Sequence, residues 1–477
     1  MGPGQPGSGG TVLARGGFGC CAVPGGRWGF PVRDLIILGL LVVTVLWALK
    51  APWIGIMGWT LVSLMSPHAE FGYAAAAWPV ATGYAAATIL GLLFTQERQN
   101  PLVGAGPKWL LAFTVWICIT LPFSLLYEAS FGLWERSMKI YLMVFVTLAL
   151  LDTKKKLTVF IWINVIAIGY FGVKGGVFTI ATGGSYRVWG PGGFIQGNNE
   201  IALAVLSVTP LLRFLQMQQT KRWAIHAFTG AMLLCVATAL GTQSRGALVG
   251  LVCMGTFFWV KGNRKLLSGA VILAIALLAL PMMPDTWWDR METIKTYEQD
   301  DSALGRINAW GMAWNLAKDR IFGGGFMIWT GSIFAIYGPE PDRVHAAHSI
   351  YFQVMGEHGF IGLGLWMAIG AATWFAARDL IKLGRAHPEH KWAADLGPMI
   401  QVSMISYASA GAFLSLSYYD LPYNVMIMAT VAQRLVRAAV RDAARAPARP
   451  QMAVPPAAPR EQGGPAGQPP PPPRRHV

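Results

Sequence analysis

Charge is scarce in this chain: 13% of its 477 residues are Asp, Glu, Lys or Arg, about half the ~25% of soluble domains. With 54% of residues hydrophobic, so few charges cannot coat a water-facing surface, which excludes an ordinary soluble globular protein. The composition is that of a polytopic membrane protein. Cysteine is also sparse. Of five, Cys20 and Cys21 are adjacent and Cys118, Cys235 and Cys253 stand in apolar segments. Neither a disulfide framework nor a metal-ligand spacing appears. The opening MGPGQPGSGGTVLARGGFG lacks the apolar core of a cleavable signal peptide, so insertion is expected to start at the first helix. Acidic residues are the minority, giving a net charge of +15. That excess lies in short connections and tails, as the positive-inside rule expects. No basic stripe lies on a soluble stretch, so nucleic acid is not an expected partner.

What is present is apolar segment after apolar segment, with 20 Trp and 13 Tyr suited to aromatic belts at two interfaces. A window of roughly 20 residues finds segments at 35–66, 76–95, 109–127, 136–151, 157–180, 200–217, 223–241, 246–261, 265–283, 350–377, 397–416 and 420–436. Basic connections at 97–108, 152–156, 220–222, 261–265 and 378–391 fall between alternate segments and can share the cytoplasmic side. The expected fold is an all-α membrane protein of about twelve spans. This count takes 35–66 as one crossing, with the N-terminus inside; because Lys50 and Pro52 interrupt the run, two short helices, thirteen spans and an outside N-terminus are the alternative. The expected regions are a disordered cytoplasmic N-terminus (1–33), a first membrane region (34–283), a large external loop (284–347), a second membrane region (348–437) and a disordered Pro/Arg-rich cytoplasmic tail (438–477).

The 284–347 segment is net acidic on a basic chain and too long to be a mere connector. Ser302 is placed to cap a helix within it. Ile307, Trp310, Trp314, Ala317 and Ile321 recur at helical spacing as an apolar stripe, and Gly323, Gly324 and Gly325 end the helix. It is expected to lie on the membrane surface or over the bundle.

Three external stretches concentrate polar groups. SYRVWGPGGFIQGNNE (185–200) sets Arg187 before a glycine run, then Gln196, Asn198 and Asn199 at a helix start. Backbone N–H groups there suit an anion; an asparagine cap is the competing reading. In GTQSRGALVG (241–250), Arg245 sits between two apolar helices with almost no loop. It either faces the bundle or snorkels. In RVHAAHSIYFQVMGEHG (343–359), His348 precedes Tyr351 by one turn. Glu357, nine residues on, falls on the opposite helix face. His345 and His358 read as loop residues. His348 is either a structural interfacial histidine or a base, since imidazole can accept a proton near neutral pH. Arginine binds phosphate bidentately and stays charged, so the set suits group transfer from a lipid-linked phosphate to a hydroxyl.

HSIYFQVMGEHGFIGL, ALGRINAWGMAWNLAKDRIFGGGF, RVWGPGGFIQGNNEIALA and SRGALVG, in this topological arrangement, resemble the O-antigen ligase and polymerase superfamily over about 30–440. RDLIILGLL, Pro67-His68 and GNNE are most similar to the putative O-glycosylation ligases of exosortase systems. GNNE departs from the Asn-Pro-Asn of many relatives and leaves the roles of Asn198 and Asn199 open. The resemblance implies a bacterial inner-membrane glycosyltransferase of the C type, working at the periplasmic face without a metal or other cofactor. It would take a glycan from undecaprenyl diphosphate and pass it to a hydroxyl of a protein, lipid or glycan. By the same resemblance Arg187 and Arg245 would bind the diphosphate and His348 would activate or place the acceptor. Arg306 would help hold the donor, and Tyr351, Glu357, Asn198, Asn199 and Gln196 would line or support the site. The alternatives are a polymerase of the same superfamily, or a transporter of the lipid-linked glycan.

Overall fold

The computed structural model describes residues 32–72, 74–261, 265–279, 283–285, 287–288 and 301–445. Among them all regular structure is helical, as the sequence predicts. The helices are α1 (Val32–Lys50), α2 (Pro52–Met65), α3 (Pro67–Phe71), α4 (Val80–Phe94), α5 (Ala105–Thr120), α6 (Tyr127–Leu150), α7 (Lys154–Ala181) and α8 (Asn198–Met217). They continue with α9 (Arg222–Gly241), α10 (Arg245–Lys261), α11 (Lys265–Ala279), α12 (Asp301–Asp319), α13 (Gly331–Tyr337), α14 (Ile350–Ala386), α15 (Lys391–Gly411) and α16 (Asp420–Arg445). Among the described residues six helices are long and apolar enough to cross a membrane: α1, α5 with its short extension to Phe123, α7, α8, α9 and α14. Helices α2, α4 and α10 are apolar but shorter.

The stretch 35–66 is not one crossing. Lys50, Ala51 and Pro52 turn the chain into an antiparallel hairpin of α1 and α2. Proline cannot donate a backbone hydrogen bond but fits a helix's first turn, so Pro52 ends one helix and begins the next. A Cβ on Gly91, near the end of α4, would meet the Ala48 carbonyl oxygen at 2.8 Å, and one on Gly72 would meet Asp34 Oδ1 at 3.0 Å. The start of α1 therefore lies beside the far end of α2. It stands at the end of the bundle opposite the 97–104 connection, the arrangement of the two-helix alternative.

The predicted basic connections do gather at one end. Lys156 pairs with Glu97 at 2.9 Å, Gln218 Nε2 donates to Asp395 at 3.2 Å, and Arg434 Nη1 donates to the Leu148 carbonyl at 3.1 Å. Of the 261–265 connection, 262–264 fall outside the described residues, as do 1–31 and 446–477 of the predicted tails. Helix α16 runs beyond the expected limit at 437 to Arg445. Helices α6 and α16 run side by side in one direction: the Tyr141 and Tyr423 hydroxyls are 3.0 Å apart, and Arg434 reaches the carbonyls that end α6.

Helix α12 packs over α14, as expected, but its buried face shares only Ala317 with the predicted stripe, whose Trp310 is half-buried. Gly305, Asn308, Ala309, Met312, Ala313, Leu316 and Ala317 are buried, while Ile307, Trp314 and Ile321 stay exposed. Small residues let the helix backbone approach closely. The bulkier aromatics are pushed to the flank, where Trp310 stacks on Phe352 at 5.0 Å and Trp314 meets Phe360 at 5.2 Å. Ser302 is inside the first turn of the helix, not before it.

Candidate active site

Three segments carrying the predicted residues meet at the connection between α15 and α16, residues 412–419. The first is the 183–197 loop that bears Arg187. Val188 N–H donates to the Gly241 carbonyl at 3.0 Å, Asn198 Nδ2 to the Thr242 carbonyl at 2.8 Å, and Gln243 Nε2 to the Gly184 carbonyl at 3.1 Å. These bonds fasten the Arg187 loop to the turn that precedes Arg245. The same loop sets Phe194 against Tyr419, with ring centroids 6.0 Å apart. The second segment is the start of α10, where a Cβ on Gly246 would lie 3.2 Å from Phe413. The third is the start of α14: Ser417 Oγ donates to the Ile350 carbonyl at 2.9 Å, two residues from His348. Arg187, Arg245 and His348 therefore come to one end of the bundle, opposite the basic connections.

His348 is held in an uncommon state. Its φ is +41°, a left-handed conformation that costs a non-glycine residue of order 1–3 kcal/mol and persists only where its surroundings enforce it. Helix α12 supplies the enforcement. Asn308 Nδ2 donates to the Glu340 and Arg343 carbonyls, both at 2.8 Å, and Trp310 Nε1 to the Ala347 carbonyl at 2.7 Å. Gly305 makes room for the His345 ring. The four left-handed non-glycine residues among those described, Ser66, Gln243, Met327 and His348, all lie at this end.

The His348 Nδ1 atom is buried and has no hydrogen-bond partner. Its ring centroid is 5.1 Å from that of His345. Burial above all, then the charges of Arg306 and His345, lowers its pKa from 6.5 to about 4. The ring is therefore neutral at physiological pH and can accept a proton. An anion bound beside it would oppose the Arg306 charge and raise its basicity.

Helix α14 is broken at Gly359, whose φ is +70°. Tyr351 and Trp366, which a straight helix would set about 22 Å apart along its axis, bring their ring centroids to 6.0 Å. The carbonyls released by the break find other donors. Gly324 N–H reaches the Gly356 oxygen at 3.0 Å, Gly325 N–H the Glu357 oxygen at 2.9 Å, and Trp116 Nε1 the His358 oxygen at 2.9 Å. Irregular backbone at membrane depth survives only with such internal partners. The predicted helix-ending glycines thus serve a second purpose: a Cβ on Gly323 would lie 2.6 Å from the Gly359 nitrogen.

The break also decides where the remaining predicted residues stand. Glu357 is buried and accepts from Tyr418 OH at 2.5 Å and Trp329 Nε1 at 3.3 Å. It ties the segment after α12 to the bundle interior. His358, expected in a loop, is fully buried. Its Nδ1 lies 3.0 Å from Thr120 Oγ1, because the helix begins at Ile350 and this position falls in its third turn. Tyr351 donates to the Ala408 carbonyl at 2.9 Å. Asn198 holds the Thr242 carbonyl, Asn199 is half-buried and Gln196 is exposed. Arg306 is near enough to His348 for its charge to act there. Sequence reading missed Arg136, Tyr419 and Asp420. The stretch WERSMK (134–139) was the available signal, since three charges at the mouth of a crossing need a polar surrounding.

Beside Ile350 and Tyr351 opens an apolar cavity of about 280 Å³, lined further by Trp366, Trp374, Met404, Tyr407 and Val425. It lies between α14, α15 and α16.

Comparison with known families bears on this arrangement in two parts. A family model described as O-Antigen ligase matches residues 230–367, the portion that carries Arg245, Arg306, His348, Tyr351 and Glu357. A model for a family of unknown function matches residues 32–220, which include Arg187, Gln196, Asn198 and Asn199. No curated protein matches the chain. Over the α9–α14 portion the chain is thus similar to the O-antigen ligase family.

Proposed function

We propose that this protein is a membrane glycosyltransferase that moves a glycan from a polyprenyl diphosphate, of the undecaprenyl type, to an acceptor hydroxyl at the inner membrane's periplasmic face. The observation that carries the reading is the meeting of the Arg187 loop, the Arg245 turn and the left-handed His348 at one connection, beside an apolar cavity. The similarity of residues 230–367 to the O-antigen ligase family supports the reaction class. The likeness to exosortase-associated O-glycosylation ligases makes a protein serine or threonine one acceptor to test.

The chemistry follows from these groups. The bond between the sugar's anomeric carbon and the diphosphate oxygen breaks, and negative charge grows on the leaving group. Arg187 and Arg245 would hold that charge in a fixed geometry, which stabilises the transition state without reorganising solvent. A new bond forms from the acceptor oxygen to the anomeric carbon, and its proton passes to the neutral His348. Attack from the face opposite the leaving group inverts the anomeric centre. The isoprenoid chain would lie in the cavity beside Tyr351, where its burial is favourable and needs no polar partner.

Purified protein in lipid nanodiscs, supplied with a labelled polyprenyl diphosphate glycan and hydroxyl acceptors, tests this. Glycosylated product identified by mass spectrometry is the expected result. Nanodiscs have no second compartment, so product there separates transfer from transport. A wild-type protein that forms no product with protein, lipid or glycan acceptors contradicts the reading.

A further inference from the structure

Helix α6 carries Glu128, Glu135, Arg136 and Lys139, a dense run of charge for a helix that continues into the bundle interior. Glu135 is committed to Lys139 at 2.6 Å. Arg136 makes no hydrogen bond or ion pair with another residue among those described. Its guanidinium lies over the Phe194 ring, with Cζ 3.6 Å from the ring centroid. Its Nη2 is 3.9 Å from where a Cβ of Gly193 would stand. Gly193 and Phe194 belong to the 183–197 loop that bears Arg187. Asp420 is near enough for its charge to be felt at Arg136, but its Oδ1 accepts from Ser63 at 2.9 Å and its Oδ2 has no partner.

We propose that Arg136 is a further phosphate-binding arginine of this site, gripping the diphosphate of the lipid-linked donor from helix α6. The inference rests on the functional reading above. Stacking on Phe194 fixes the plane of the guanidinium and leaves its edge, with five N–H donors, open. The exposed position of Arg136 leaves that edge accessible to a ligand. Asp420 attracts the side chain towards the loop without consuming its donors. Phe194 is the positioning residue: it sets the guanidinium against the segment that carries Arg187.

The test is equilibrium binding of undecaprenyl diphosphate, with undecaprenol as the neutral control, to full-length protein in nanodiscs. Arg136→Ala is expected to weaken diphosphate binding at least about tenfold, the size of a lost charge-assisted hydrogen bond, and to leave undecaprenol binding unchanged. Arg136→Lys is expected to recover only part of the loss, because an ammonium neither stacks nor makes a paired contact. Phe194→Ala is expected to weaken diphosphate binding about threefold by releasing the plane. These last two variants decide the matter if Arg136→Ala does not fold. Diphosphate affinity unchanged in the folded variants overturns the role of Arg136 and leaves the functional reading standing. A wild-type protein with no preference for the diphosphate over undecaprenol overturns both, and is recognised before any variant is made.

Discussion

The two ends of the helical bundle use the same polar residues in opposite ways. At the basic end Arg434 donates to the carbonyls of Leu148 and Leu151 at 3.1 and 2.5 Å. Lys156 sits between Asp152 and Glu97 at 2.8 and 2.9 Å, and Arg437 pairs with Asp379 at 2.8 Å. At the other end Arg187 Nε, His348 Nδ1, Ser415 Oγ, Tyr419 OH and Asp420 Oδ2 are buried without partners. Burying a polar group without a hydrogen bond costs about 1–3 kcal/mol, so a structural site does not accumulate such groups. The left-handed residues cluster at the same end. One end uses its charges to hold helices together, and the other keeps donors and acceptors in reserve for a ligand.

The sharpest way to break this contrast is to remove one arginine from each end. Arg187→Ala and Arg245→Ala are each expected to lower glycan transfer about 10²–10³-fold, as loss of a transition-state donor does, at unchanged folded protein. Lysine at either position should restore little. Arg434→Ala is expected to lower the thermal midpoint and leave turnover per folded molecule near wild type. Initial rates and melting curves on the same preparations decide it; equal loss of turnover from both ends would erase the distinction.

The helix break supplies a second comparison. Gly359→Ala forces a side chain into a left-handed backbone, at about 1–3 kcal/mol, with its Cβ 2.3 Å from the Ile321 carbonyl oxygen. Gly83→Ala in α4 meets nothing within 4 Å and should be neutral or slightly stabilising, as alanine is the better helix former. Thermal unfolding in detergent reads both. A Gly359→Ala protein as stable as Gly83→Ala would contradict the broken helix.

The sequence was most legible where chemistry is local. Arginines beside glycine-rich turns and a histidine before an apolar helix pointed to Arg187, Arg245 and His348, which share one end of the bundle, and alternating basic connections pointed to the other end. It was least legible where a partner distant in the chain decides. The break at Gly359 depends on donors from Trp116, Gly324 and Gly325, so no pattern within 350–377 marks it. Lys50 and Pro52 mark the α1–α2 turn in the sequence, but a turn of three residues leaves no gap in hydropathy to choose between one broken crossing and two helices. The stripe on α12 misled because close helix packing selects small residues, whereas an apolar-periodicity reading follows the large ones.

Acidity gives a smaller effect that also separates the ends. A base must be neutral to act, and His348, with its pKa lowered to about 4, stays neutral on acidification well past the point at which an ordinary histidine is charged. The kcat/KM for transfer is expected to be flat from pH 7 to about 5 and to fall towards pH 4, since this parameter reports the free enzyme. The same depressed value means that the folded state binds fewer protons than the unfolded chain between pH 6.5 and 4. This contribution to stability is complete above pH 6.5 and is lost as pH falls through 4. A pH–rate profile with its acid limb near 6.5 would show a solvated histidine instead.

The smallest expected change is at Tyr351, whose hydroxyl is spent on the Ala408 carbonyl. Tyr351→Phe should cost about 1 kcal/mol of stability and leave the kcat of transfer unaltered. A large fall in kcat with unchanged melting would instead return Tyr351 to the reacting centre.

The most direct measurement is single-turnover transfer of a labelled glycan from undecaprenyl diphosphate by purified wild-type protein and by His348→Ala, with donor binding measured in parallel. Donor affinity is expected to hold while the rate of transfer falls about 10²–10⁴-fold, the usual worth of a positioned base. Transfer at the wild-type rate by a folded His348→Ala protein would contradict the account.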